Sequence, residues 1–147
     1  MTYAAGTTVS VESSQQEIGR ILNRYRVEEY SFGAAQGKAV VAFVIKDYPV
    51  RVAIPLPPRP AEGAYRKAGN GKKVPLDKDW EQEVRESWRA LALLIKANLE
   101  AVERGIVGVQ EAFMAYLLTG NGKTVGEIVL PEYEKSLASG GRLQITS

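Results

Sequence analysis

The stretch "KAVVAFVIKDYPVRVAIP", Lys38–Pro55, decides the fold. Lys38–Lys46 is the most strand-like part of the chain. Its apolar run predicts burial on both faces, hence a central strand. Asp47-Tyr48-Pro49 reads as a turn. "VRVAIPL" then pairs back, with Val50, Val52 and Ile54 on one side. Pro55 cannot donate to a ladder, so this strand ends there or lies at an edge. Upstream, "EYSFGAA" leads into Gln36-Gly37, a tight turn with positive φ at the glycine. The unit is a three-stranded antiparallel meander.

Working toward the N-terminus, Thr7–Val11 is β-branched and alternating, which predicts a short edge strand. Ser14 and Glu17 have the spacing of a capping box. Ile18, Ile21, Leu22 and Tyr25 follow at helical spacing. The expected helix is Ser14–Arg26, with Gly19 either weakening it slightly or allowing close packing on the sheet. The start, "MTYAAGTTVS", has no basic segment and no apolar core of a leader. The longest apolar run, Ala39–Ile45, is far below the roughly 18 residues of a membrane span. The reading is a cytoplasmic chain with no membrane partner.

Toward the C-terminus, Pro55–Asp79 interrupts the pattern with prolines and glycines and predicts a long loop. From Trp80 to Arg104, apolar residues recur at spacings of three and four, and "ALALLI" is apolar all round. That predicts a long, deeply buried helix, with Glu81–Arg85 and Glu100–Arg104 as i,i+4 pairs and Gly105 as its stop. "VQEAFMAYLL" predicts a third helix, with Phe113, Met114, Leu117 and Leu118 inward. "TVGEIVLPEYEKSLAS" predicts a last one, bent or restarted at Pro131. The expected architecture is α+β in a single domain, 1–147. It would hold a mainly β part with one helix (1–56), a basic Pro/Gly-rich loop (57–79) and a helical part (80–147).

Composition restricts the chemistry. The 147 residues include no cysteine and no histidine. Disulfides, thiol nucleophiles and histidine-based triads are excluded. "TGNGKTVGE", Thr119–Glu127, imitates the end of a phosphate-binding loop, and "AGNGKKV", Ala68–Val74, nearly repeats it. A phosphate-binding loop needs a glycine five residues before Gly122, and that position is Leu117. It also needs a preceding buried strand. In the first copy Lys73 stands where Ser or Thr is required. Turns, with Thr124 capping the last helix and Glu127 closing the box, are the better account. Glu81, Glu83 and Glu86 crowd together, but no metal spacing such as D-x-D appears. A Lys or Tyr general base stays open, so an enzyme acting on a nucleotide is the third reading. No cofactor and no metal are called for.

Net charge is only +2. Its densest positive stretch is Tyr65–Lys73, with Arg66, Lys67, Lys72 and Lys73. Such cations release counterions from phosphates, and Tyr65 can stack a base. The plain alternative is a solvated loop. Arg85, Arg89 and Lys96 form a second basic set on the long helix, or else pair with carboxylates such as Glu81 and Glu100. Trp80 and Trp88 match the core stripe. Trp80, at the helix start, is the one expected nearer the surface.

The block "WEQEVRESWRALALLIKANLEAVERGI", Trp80–Ile106, with "EAFMAYLL" and "GKTVGE" after it, resembles small, mostly uncharacterised proteins of tailed phages and prophages. The similarity extends back to "AVVAFVI" and "VRVAIPLPPR". It brings no catalytic motif. It implies an accessory gene near replication, recombination or counter-defence, inside a host cell. On that basis the expected partners are nucleic acid or a nucleotide, or a host protein that the chain blocks; a homo-oligomer stays open.

Overall fold

In a computed structural model the described residues are 6–140. The leader reading over residues 1–5 and the end of the helical part, 141–147, lie outside them. The architecture is α+β. Helix α1 (Val11–Arg24) leads to strands β1 (Glu29–Ala35), β2 (Lys38–Ile45) and β3 (Tyr48–Pro55). A small ribbon follows, β4 (Tyr65–Lys67) and β5 (Lys73–Pro75). Helix α2 (Leu76–Glu103) comes next, then the short α3 (Val109–Ala112), a 3₁₀ turn (Met114–Tyr116) and α4 (Val125–Ser139).

The meander forms in the order β1-β2-β3, all antiparallel. Ala39, Val41, Phe43 and Ile45 are buried on one face of β2, opposite Val50 and Val52 of β3. The intervening Val40, Ala42 and Val44 are only half-buried, so β2 is central without being covered equally on both faces. Gln36 and Gly37 both have positive φ, 52° and 70°, as the mirror-image hairpin turn requires. The second hairpin turns at Lys46-Asp47, φ 48° and 68°. Tyr48 and Pro49 already belong to β3, so the turn lies earlier than Asp47-Tyr48-Pro49.

Other expectations change as well. Thr7–Val11 is not a strand, because Val11 already opens α1. The Ser10 hydroxyl accepts from the Ser13 N–H at 3.1 Å and caps the helix, whereas Ser14 sits inside it, fully buried. The stop also comes earlier, at Tyr25, where the chain turns left-handed at Arg26. The long loop is partly ordered as β4, β5 and the first turn of α2, which starts at Leu76 rather than Trp80. The third helix lasts only through Ala112, because Leu117 and Leu118 are drawn into bridges with Val50 and Thr124. Phe113 points inward and meets Phe43 edge-on at 5.5 Å, but Met114 is 55% exposed.

The core joins α1, α2 and α3 to one face of the sheet through Ile18, Leu22, Trp88, Leu91, Ile95, Leu99, Val109 and Phe113. Gly19 gives α1 its close approach: a Cβ there would stand 3.3 Å from the Tyr30 hydroxyl. Helix α2 ends in a double hydrogen bond, Gly105 N–H to Val102 O and Ile106 N–H to Ala101 O, with Gly105 at φ 74°. Helix α4 runs unbroken through Pro131. From Glu127 onward it is exposed, and only its first turn is held to the body.

Candidate nucleic-acid interface

The two glycine-asparagine-glycine-lysine segments build the same turn. In each, the first residue donates its N–H to the carbonyl four residues on, Ala68 to Lys72 at 2.8 Å and Thr119 to Lys123 at 2.9 Å. Gly71 and Gly122 donate back across three residues, with φ 81° and 83°. Asn70 and Asn121 accept from the following lysine N–H groups. This is a three-residue hairpin loop with its glycine in the left-handed region. No phosphate cradle is needed to explain either copy.

The first turn closes the β4–β5 ribbon, and alternation along the strands then sorts the basic residues. The register pairs Tyr65 with Pro75, Arg66 with Val74, and Lys67 with Lys73. Tyr65, Lys67 and Lys73 therefore share one face, and Arg66 takes the other. The shared face is exposed, and the Lys73 Nζ lies 4.5 Å from the centre of the Tyr65 ring. Arg66 instead forks onto Asp79 of α2, at 2.6 and 3.2 Å. Asp79 holds the Arg66 pKa above its ordinary value, and Arg66 holds Asp79 below the usual carboxylate range, mainly through that hydrogen bond. Arg66 is thus the ribbon's tether. Lys67, Lys72 and Lys73 make no ion pair among the described residues.

Trp80 borders this region without being a free platform. It is half-buried, and its indole N–H donates to the Pro57 carbonyl at 2.9 Å. The Arg59 guanidinium covers its ring at 5.0 Å. Arg59 had no sequence signal beyond its place between Pro58 and Pro60. Trp88 is 2% exposed and belongs to the core.

The second basic set does not assemble. Arg85 forks onto the Gln82 side-chain carbonyl rather than onto Glu81. Arg89 pairs with Glu17, locking α2 to α1. Lys96 is exposed, apart from both contacts. The Glu100–Arg104 pair is also absent among the described residues. Among those residues no three acidic side chains gather to hold a metal ion, and no helix is long and apolar enough to cross a membrane.

No family model matches the chain, and neither a curated protein nor a solved structure matches it.

Proposed function

We propose that the chain is a non-enzymatic module that binds single-stranded nucleic acid through the β4–β5 ribbon. The observation that carries this is the exposed face on which Tyr65, Lys67 and Lys73 stand together, continued at the tip by Lys72. Lysines meet the phosphates, and the tyrosine offers one face to a base. The Arg66–Asp79 fork ties β4 to α2, and the Trp80–Pro57 hydrogen bond ties α2 to the segment that leads into the ribbon. The phage setting, in replication, recombination or counter-defence, rests on the sequence resemblance of Trp80–Ile106.

The test is a fluorescence-anisotropy titration of a labelled single-stranded oligonucleotide at several salt concentrations. Binding should weaken with salt at a logarithmic slope of about −2, the value for roughly three phosphate contacts. Tyr65→Ala should weaken binding about fivefold or more, as loss of one stacked base does. Absence of binding at about 50 mM salt would refute the proposal.

A second reading, a module that binds and blocks a host protein, is favoured by α4. Its Ile128, Val129, Leu130, Tyr133 and Leu137 are 42 to 56% exposed. Apolar side chains left open along one helix suit a protein partner better than a polyanion. That reading predicts binding with little salt dependence.

A further inference from the structure

The C-terminal ends of α1 and α2 meet beside the β2–β3 turn. This is the far end of α2 from the ribbon, about 40 Å away along a 28-residue helix. A pocket of about 440 Å³ opens there. Ile45, Leu99 and Val102 form its apolar floor, and Tyr25 stands at its side. Its rim carries three cations, Arg24, Arg26 and Lys46, against one carboxylate, Glu103. None of the three cations forms an ion pair among the described residues.

Two of these cations sit where the backbone disfavours them. Arg26 has φ 59° and Lys46 has φ 48°, the left-handed region that suits glycine or asparagine. Arg26 occupies the stop position of α1: its N–H donates to Asn23 O, and the Val27 N–H donates to Leu22 O. The equivalent stop of α2 uses Gly105. Compensation of the helix dipole accounts for Arg24 in the last turn. The hairpin turn accounts for the φ of Lys46, as it does for that of Gln36, but nothing in the fold accounts for an arginine at the α1 stop, where glycine fits better. An arginine held in that conformation, with its side chain at the pocket rim, points to a function.

We propose that this pocket binds a small organic phosphate with the size and charge of a nucleoside diphosphate. The phosphates lie among Arg24, Arg26 and Lys46. With Glu103 set against the three cations, the rim carries a net charge of +2, which favours a ligand with at least two negative charges. The flat part of the ligand rests on Tyr25 and the floor. The volume is within the range of ordinary ligand sites. The site is separate from the ribbon and stands or falls independently of it.

Calorimetric titration at about 50 mM salt tests this with ADP, inorganic pyrophosphate and adenosine as probes. ADP should bind, pyrophosphate more weakly, and adenosine not at all. Arg26→Gly should weaken ADP binding about tenfold while raising the melting temperature by about 2–4 °C, because it relieves the backbone. Lys46→Gly should act in the same direction. Lys67→Ser with Lys73→Ser on the ribbon should leave ADP binding unchanged even where oligonucleotide binding disappears. The proposal is overturned if neither ADP nor pyrophosphate binds at millimolar concentration. It is also overturned if pyrophosphate binds as tightly as ADP, or if Arg26→Gly keeps full affinity.

Discussion

Ala68–Lys72 and Thr119–Lys123 fold into the same turn but are placed very differently in the molecule. The first closes an exposed ribbon tied to α2 by one ion pair, Arg66–Asp79. The second is stitched to the body. Leu118 donates to Pro49 O, Val125 donates to Leu117 O, and Thr124 is buried at the cap of α4. Each turn has an arginine–carboxylate tie nearby, and the second one is Arg51–Glu127. Local sequence fixes the turn; what lies against it fixes whether the turn serves the fold or is free to serve something else. Substitutions matched between the two copies should therefore differ in their effect on folding.

The largest expected difference is at Gly126, in the first turn of α4. A Cβ there would stand 2.8 Å from the Ala115 carbonyl oxygen, closer than real side chains come. Gly126→Ala should destabilise the fold by about 2 kcal/mol, as overpacking does, despite alanine's better helix propensity. Gly69→Ala, where a Cβ meets nothing within 4 Å, is the control and should stay within about 0.5 kcal/mol. Urea unfolding of the two variants checks the contrast. Equal effects would show that the second turn is no better anchored than the first.

Next comes the cap. The Thr124 hydroxyl accepts from the Glu127 N–H at 3.2 Å. Thr124→Ala should cost about 1 kcal/mol. The helix after the first turn has no such dependence, because its N-cap is Pro75 and makes no side-chain bond. A Thr124→Ala protein with unchanged melting temperature would remove the cap from the account of α4.

The glycines at φ 81° and 83° come third. Gly71→Ala and Gly122→Ala each force alanine into the left-handed region, at about 1 kcal/mol. The Gly122 variant should lower the global melting temperature. The Gly71 variant should only speed amide exchange in β4 and β5, since the ribbon packs little against the core. A global loss from Gly71→Ala would mean that the ribbon is part of the cooperative core.

These contrasts also mark what was legible from residues alone. The meander was legible because alternation and turn residues are local properties, and Lys38–Pro55 carries both. The ribbon was not, because three-residue strands are too short to show a period. The start of α1 was misplaced because Ser10 and Ser14 both precede apolar periods, and packing, not spacing, chose Ser10. The third helix was overextended because the bridge from Leu117 to Val50 outweighs helix propensity, and that bridge is tertiary. In the candidate site the charges were visible but their partners were not. The register of β4 against β5 separates Arg66 from Lys67, and no reading of adjacent residues supplies that register. The cations around the second pocket lie in separate stretches, Arg24 and Arg26 at the end of α1 and Lys46 in the β2–β3 turn, and show no cluster in the sequence.

Acid should loosen both ties. Arg51, the Thr124 hydroxyl and the Thr124 N–H hold Glu127 below its ordinary pKa, Arg51 most of all, and Arg66 does the same for Asp79. A carboxylate with a depressed folded pKa contributes stability above its ordinary pKa. It loses that contribution as pH falls through the folded value. Amide protection, exchange taken relative to its intrinsic rate at each pH, around Lys73–Pro75 and in the first turn of α4 should thus stay constant above about pH 5 and fall below about pH 4. Both carboxylates are exposed, so the change should be local and modest. Protection that falls equally in Asp79→Asn and in the parent protein would separate the acid effect from this ion pair.

The smallest effect on folding is expected from the free ribbon cations. Lys67, Lys72 and Lys73 are exposed and unpaired among the described residues, so changing all three to Ser should move stability by less than about 0.5 kcal/mol each. Arg66 must be left in place, because its removal would free Asp79 and loosen the ribbon itself. That distinction gives the nucleic-acid reading its sharpest test. The triple variant keeps the ribbon's geometry and gives up only its charge. Its oligonucleotide affinity at low salt should fall, and its salt slope should flatten by about 0.7 for each single-strand phosphate that is no longer neutralised. Arg66→Ser should behave differently, weakening binding together with faster exchange in β4 and β5, since it acts through the scaffold. If the triple variant binds with the parent slope, the phosphates are met elsewhere on the chain. If Arg66→Ser flattens the slope without changing exchange, Arg66 meets phosphate itself, and its fork onto Asp79 gives way when ligand arrives.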